Sequence, residues 1–180
     1  FERPSFQINE IVILLEEYYG LFCKIEELPG ERDLNFLIRP RNGELLVLKI
    51  SNSCETFEFM NIQNEALDLV SKTINKRKVP EVLLNLSGEP LSLVKSSKGI
   101  SHLMRIVRYV EGVPIAEYSP HTKKFLKSLG KMCGTVTNAL KEISIAPFKR
   151  NLLWEIHNVK NILEEYIVFI NDQELKKCVI

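Results

Sequence analysis

The sequence predicts an α+β protein whose strands come before residue 112 and whose helices dominate after it. Three observations carry this. Period-two apolar runs fill roughly residues 21–50 and 82–110 and are interrupted by one helical repeat. The pair Asn42-Gly43 separates two of those runs, and from residue 119 apolar residues recur at spacings of three and four. A chain of 180 residues is long enough for one sizeable core or two small lobes, and 45% hydrophobic with 26% charged residues argues against disorder and membrane spanning.

Each element has its own signal. Residues 5–19, SFQINEIVILLEEYY, place Ile8, Ile11, Val12, Leu15 and Tyr19 on one helical face, closed by Gly20. LFCKIEEL reads as a strand, ERD as a loop, LNFLIRP as a second strand and ELLVLKI as a third. Asn42-Gly43 predicts a two-residue type I′ hairpin turn between the last two, because that turn needs positive φ at both central positions. Residues 55–74 form a second helix with Phe59, Met60, Ile62, Ala66, Leu67 and Val70 on its apolar face. VLLNL and LSLVK flank Ser87 to Pro90 as another hairpin, and SHLMRIVRYV is the last strand, running to Glu111-Gly112. SPHTKKFLKSLGKMCGTVTNALKEI keeps Phe125, Leu126, Leu129, Met132, Cys133, Val136 and Leu140 together on a helix, with Gly130 and Gly134 suited to close approach by a neighbour. LLWEIHNVKNILEEYIVFI is helical from about Trp154, and QELKKCVI begins a further helix.

Charge and cysteine usage narrow the partners. Lys plus Arg number 24 against 23 Asp plus Glu, so there is no global field to attract nucleic acid or a lipid surface, and an anion site must be local. Cys23, Cys54, Cys133 and Cys178 are widely spaced, with no CxxC pair and no histidine at ligand spacing. Structural zinc is not expected, and a reducing, cytoplasmic setting is the simplest context. No GxxxxGK[ST], GxSxG or GxGxxG occurs, which removes the P-loop, serine-hydrolase and dinucleotide readings. The chain starts at Phe1 and stops within a helical pattern, so it reads as a fragment of a longer protein.

One residue stands out chemically. Leu46, Leu48 and Ile50 share one strand face while Leu45, Val47 and Lys49 share the other, so the Lys49 ammonium emerges from an apolar surface and needs an acceptor to offset desolvation. Two readings stay open: a lysine snorkelling at a strand end, or a phosphate-binding lysine steadied from the following helix. Gln63 is the polar interruption of that helix's buried face; Glu65 is chemically the better partner but lies toward the polar margin. Glu31, Arg32 and Asp33 read either as a solvated turn or as a loop whose backbone N–H groups cradle phosphate oxygens. Arg108, Tyr109 and Val110, before Gly112 and Pro114, leave the sheet with backbone groups that a nucleobase edge or an ordinary connection would use. Trp154 and Glu155 read as a packed tryptophan and a surface glutamate, or as the border of an acceptor pocket.

Taken in order, YYGL, LPGERDLNF, LVLKIS, IQNEALDLV, LMRIVRYVEGVPIAE and RNLLWEIHNV resemble the hydroxylysine kinase family and the kinase domain fused to class III aminotransferases, both within the aminoglycoside phosphotransferase and choline kinase group. The resemblance implies a protein-kinase-like nucleotide lobe over 1–111, a five-stranded antiparallel sheet plus helix, and the first helices of a helical lobe over 112–180. It implies that Lys49 meets nucleotide phosphates, that Glu31 to Asp33 replace a glycine-rich loop, and that the Arg108 carbonyl and Val110 N–H bind the base. Where most such kinases hold the lysine with a helix glutamate, this sequence has Gln63. The implied cofactor is ATP or GTP with Mg²⁺, and the implied partners are a small hydroxylated amine, the rest of the helical lobe and a fused aminotransferase domain. The catalytic HGDxxxxN loop and the metal ligands are expected beyond residue 180, leaving no catalytic residue here and no turnover by this chain alone. A pseudokinase-like binding module is the alternative.

Overall fold

The structure, a computed structural model, describes residues 3–41, 43–74, 78–143 and 155–179. Helix α1 spans Ile8–Tyr19. Gln7 and Glu10 form a capping box at its start, and Gly20 ends it in the left-handed region at φ 63°, donating its N–H to the Glu16 carbonyl. Ile11, Leu15 and Tyr19 are buried as the period predicts, but Ile8 and Val12 remain exposed, Ile8 at 54%.

Strands β1 (Cys23–Leu28), β2 (Leu34–Pro40), β3 (Leu46–Ile50), β4 (Val82–Leu83), β5 (Ser92–Lys95) and β6 (Ser101–Arg108) form one antiparallel sheet. Its order is β1-β2-β3-β6-β4, and β5 also pairs with β6. The sheet is thus five positions wide, with six strands, because β4 faces Ile106 and Val107 while β5 faces residues 101–104 along the same edge. This corrects the expectation that VLLNL and LSLVK pair with each other as a hairpin. Asn85 explains the difference: its Oδ1 accepts from the Ser87 and Glu89 N–H groups, and it carries the chain through a closed bend back onto the same edge of β6.

The β2–β3 hairpin forms, but its turn differs from the two-residue form expected. The last paired residues are Ile38 and Leu46, so residues 39–45 lie outside that ladder. Pro40, with no N–H to offer, lies two residues beyond Ile38, the last β2 residue paired with β3. Gly43 has φ 121°, and Asn42 lies outside the described residues.

The two sheet faces differ in kind. Leu34, Phe36, Ile38, Leu46, Leu48, Ile50, Met104 and Ile106 point to one side and pack with Ile11, Leu15 and Tyr19 of α1. The other side carries the row Leu37, Val47, Val107 and, next to it, the row Asn35, Lys49, Arg105. Helix α2 (Phe57–Thr73) lies over this second face, anchored by a small cluster of Met60, Leu91 and Leu103. Thr56 caps α2 by accepting from the Phe59 N–H.

The chain separates into two compact units, Phe1–Ile143 and Ser144–Ile180. Helix α3 (Lys123–Ala139) belongs to the first and packs against α2. Phe125 stacks on Tyr118 and His121, whereas Leu126 and Met132 stay exposed. Nothing lies within 4 Å of a Cβ built at Gly130 or Gly134, so the close approach expected there does not occur among the described residues. The second unit holds a 3₁₀ turn (Ile156–Asn158), α4 (Val159–Tyr166), a second 3₁₀ turn (Ile167–Phe169) and α5 (Gln173–Val179). Trp154 lies outside the described residues, and Glu155 is half-buried at the head of the first turn. All four cysteines are free thiols, and no described helix is long and apolar enough to cross a membrane.

Leu48 is completely buried between α1 and the sheet. Leu48→Ala is expected to cost about 3 kcal/mol, while Ile8→Ala is expected to stay within about 0.5 kcal/mol. Urea titrations of the two variants, compared through midpoint and slope, check the assignment of the core; equal losses would contradict it.

Candidate functional site

The loop between β1 and β2 is built around Gly30. A Cβ at that position would fall 2.3 Å from the Asp33 carbonyl oxygen and 2.6 Å from Asn35 Nδ2, so the backbone closes on a space that only glycine leaves. Asn35, the second residue of β2, holds both sides of the site. Its Nδ2 donates to the Pro29 carbonyl at 3.4 Å, and its Oδ1 accepts from Lys49 Nζ at 3.0 Å. The loop is also braced from the far end of β3. Asp33 Oδ1 accepts from the backbone N–H of Asn52 (3.0 Å) and from its Nδ2 (2.9 Å). Asn52 is 1% exposed and fully engaged, donating to Glu55 Oε1 and accepting from the Cys54 N–H, so the connection from β3 to α2 and the Glu31 to Asp33 loop form one hydrogen-bonded body.

Lys49 emerges on the face the strand alternation predicts, half-buried. Desolvation pushes its pKa below the usual lysine value; the neighbouring Arg105 charge pushes it further down, and Asp33 opposes both. Arg105 is directly opposite Lys49 in the β3–β6 register and is only 4% exposed. Burial lowers its pKa too, against the attraction of Asp33 and Glu55. Two cations therefore lie side by side on one sheet face, with Asp33 as the carboxylate acting on both.

The partner expected for Lys49 is engaged elsewhere. Gln63 does point from α2 to the sheet, but its Oε1 accepts from Arg105 Nη2 at 2.7 Å, and Asn64 Oδ1 accepts from Nη1 of the same guanidinium. Register and reach explain this correction. Arg105 sits one strand closer to the α2 anchor at Leu103, and its longer, forked side chain spans two consecutive amides, whereas Lys49 meets Asn35 across the β2–β3 pair. Glu65 is exposed.

At the end of β6, Tyr109 donates its N–H to the Leu45 carbonyl, and Arg108 donates its N–H to the Glu81 carbonyl. The Val110 N–H has no hydrogen bond among the described residues. The Arg108 side chain is tied down by Glu44, Glu81 and the Val79 carbonyl. A cleft of about 460 Å³ opens here, lined by Gly43, Glu44, Leu45, Arg108, Tyr109 and Glu111. Leu45 immediately precedes β3, so this cleft lies at the end of the strand that carries Lys49. Among the described residues no cluster of three or more His, Cys, Asp or Glu is arranged to hold a metal ion.

Gly30, Asn52, Glu55, Asn64 and Arg105 were not singled out by the sequence. One signal was present: Arg105 interrupts HLMRIVRYV just as Lys49 interrupts LLVLKI, and an antiparallel register that aligns two such strands sets their cations opposite each other.

The chain is similar to hydroxylysine kinases. It is 24% identical over 190 residues to that of Danio rerio and 27% identical over 194 residues to that of Mus musculus, each match covering 98% of this chain. It spans about half the length of these relatives, 52% and 50% respectively. No family model matches. Among solved structures, an amicoumacin kinase in complex with AMP-PNP, Ca²⁺ and Ami superposes with a TM-score of 0.68 at 15% identity, covering 91% of this chain and 51% of the other. A microcompartment-associated aminopropanol kinase superposes with a TM-score of 0.59 at 13% identity, covering 82% of this chain and 45% of the other. The fold is accordingly the α+β, protein-kinase-like fold that the sequence implied.

Two outcomes follow from the geometry. Gly30→Ala is expected to displace the 30–33 backbone and loosen Asn35, raising amide exchange at Asp33 and Asn35 while leaving β6 unchanged; exchange equal to wild type at both positions contradicts the close approach. Lys49 should also oppose stability at neutral pH. Its folded pKa lies below the unfolded value, so across that interval the unfolded chain holds a proton the folded chain has released, and stability rises with pH. Below the interval the penalty is fully present. Lys49→Met is expected to raise the Tm of the ligand-free protein at pH 7, with the gain shrinking as the pH climbs toward the ordinary lysine pKa. A variant that melts below wild type at pH 7 speaks against this.

Proposed function

We propose that this chain is the nucleotide-binding part of a small-molecule kinase that transfers a phosphoryl group from ATP or GTP to a hydroxyl of a small, hydroxylysine-like amine. The observation that carries the reading is the Lys49 ammonium, presented from an apolar strand face to a glycine-dependent loop and held there by the neutral Asn35. A lysine held by an amide keeps its charge available for a ligand anion, and Arg105 beside it adds to the positive potential. The Gly30 to Asp33 loop has its course fixed by the close approach of Gly30 to Asp33 and Asn35, and its backbone N–H groups are the proposed phosphate contacts.

In this reading the lobe boundary falls at 111/112, and the nucleobase uses the cleft beside Tyr109. The Arg108 carbonyl and the Val110 N–H are its hydrogen-bonding groups, and Lys49 meets the phosphates. Glu31 and Arg32 act through their backbone, while Asp33 fixes the loop through Asn52 and Gln63 holds α2 through Arg105. A bound nucleotide would bring the phosphoryl group and its Mg²⁺; the residues of this chain bind, orient and supply positive charge. The relatives' names support a hydroxylated amine as acceptor, and the chain's half-length match supports placing the general base and metal ligands beyond residue 180. The 180-residue chain is then expected to bind nucleotide without turning it over. The working partners are the nucleotide, the acceptor, the remaining helical lobe and, by resemblance, a fused aminotransferase domain, in the cytoplasm. The amide at Gln63, where the resemblance implies a helix carboxylate, favours one second reading: a lobe that binds nucleotide without transferring phosphate.

Calorimetric titration with ATP and with GTP, Mg²⁺ present, tests the proposal. Wild type is expected to bind at least one of them, and Lys49→Ala to lose at least about tenfold in affinity, the size expected for a charged hydrogen bond. Absence of binding by wild type, or equal affinity in Lys49→Ala, sinks it. Turnover of a hydroxylated amine by the full-length protein separates the kinase from the non-catalytic module.

A further inference from the structure

We infer that Arg105 is a positioning residue for the phosphate half of the site, fixing α2 in place of the lysine and leaving Lys49 free for the ligand; this rests on the nucleotide-binding reading above. The two cations adjoin on neighbouring strands, yet their hydrogen-bond partners diverge. Lys49 turns to Asn35 on β2, and Arg105 turns to Gln63 and Asn64 on α2. Its Nη atoms span two consecutive helix residues, which sets both the height and the rotation of α2 over the sheet. Its Nε, buried in the same contact, has no hydrogen-bond partner among the described residues.

The tie reaches the loop through covalent continuity. Helix α2 begins at Phe57, directly after the Asn52 to Glu55 connection, and Asn52 holds Asp33 at the end of the loop. Holding α2 therefore holds Asn52, Asp33 and the Gly30 turn in sequence. The choice of acceptors also matters. Both are neutral amides, so α2 contributes no carboxylate to compete with an incoming phosphate for either cation. Arg105 and Asp33 are the charged groups acting on Lys49, and Asp33 and Glu55 those acting on Arg105; both carboxylates bond to Asn52.

The test uses the full-length protein, ATP and GTP with Mg²⁺, and two readouts. One is triphosphate affinity. The other is the pH midpoint for acylation of Lys49 by an amine-directed reagent in the ligand-free protein, read by mass spectrometry of its peptide. Arg105→Met is expected to weaken triphosphate binding about tenfold and to move the Lys49 midpoint up, because a like charge has gone. Arg105→Lys restores the charge but not the fork, so it is expected to bring the midpoint back toward wild type while affinity stays weak. A charge effect alone would restore affinity in Arg105→Lys along with the midpoint, whereas an arginine acting through its fork would not. If Arg105→Met does not fold, Gln63→Met removes one acceptor and is expected to weaken triphosphate binding in the same direction. Wild type that binds neither triphosphate defeats the nucleotide reading itself. Wild type that binds, with Arg105→Met or its substitute equal to it within about twofold, or with the midpoint unmoved in Arg105→Met, overturns the role of Arg105 alone.

Discussion

The first unit depends on a cross-strand row of three polar side chains, Asn35, Lys49 and Arg105, set on an otherwise apolar sheet face. Two of them are cations on adjacent strands, and burial penalises the charge on each. Such a pair persists only if each member finds acceptors and if a carboxylate lies close to both. The surrounding structure meets those conditions. Asn35 accepts from the lysine, consecutive amides of α2 accept from the arginine, and Asp33 supplies the negative charge while its own oxygen is anchored by Asn52. Loop, sheet and helix are located by what this row requires.

The opposite face places few demands of that kind. Its residues are aliphatic or aromatic and pack with α1 through ordinary burial. On the proposed reading, this division leaves stability to one face and ligand chemistry to the other. It also explains why the charged row can be tolerated: a fully buried core on the α1 side sustains a strand pair whose second side is electrostatically costly.

Strand and helix identities were legible from periodicity because one-sided burial imposes it. Lys49 was legible for the same reason, as a charge breaking an apolar alternation. The β4 and β5 segments were misread because each has a hairpin-like sequence, while their actual partner, β6, is distant in sequence and local pattern carries no information about it. The partner of Lys49 was misread for a related reason. A helical wheel gives the direction of Gln63 but not which strand lies beneath it, and only the β3–β6 register reveals that Arg105 gets there first. Gly30 was silent as well, because its requirement is a close approach of Asp33 and Asn35, without the positive φ that makes some glycines recognisable by turn type.

The separation of duties between the two cations has a consequence for how the site responds to charge. Where one lysine is held by a helix carboxylate, that carboxylate competes with phosphate for the same ammonium, and helix position is coupled to ligand charge. Here the helix is held by a guanidinium on amides, so, on the nucleotide-binding reading proposed above, a phosphate arriving at Lys49 would displace a neutral Asn35 contact and break no ion pair with α2. The desolvation cost of Lys49 is carried in the ligand-free state, and an anion bound as proposed would relieve it. On that account the electrostatic strain of the empty site is a source of selectivity: it favours ligands that bring negative charge to this one position, and it gives a neutral ligand no comparable advantage.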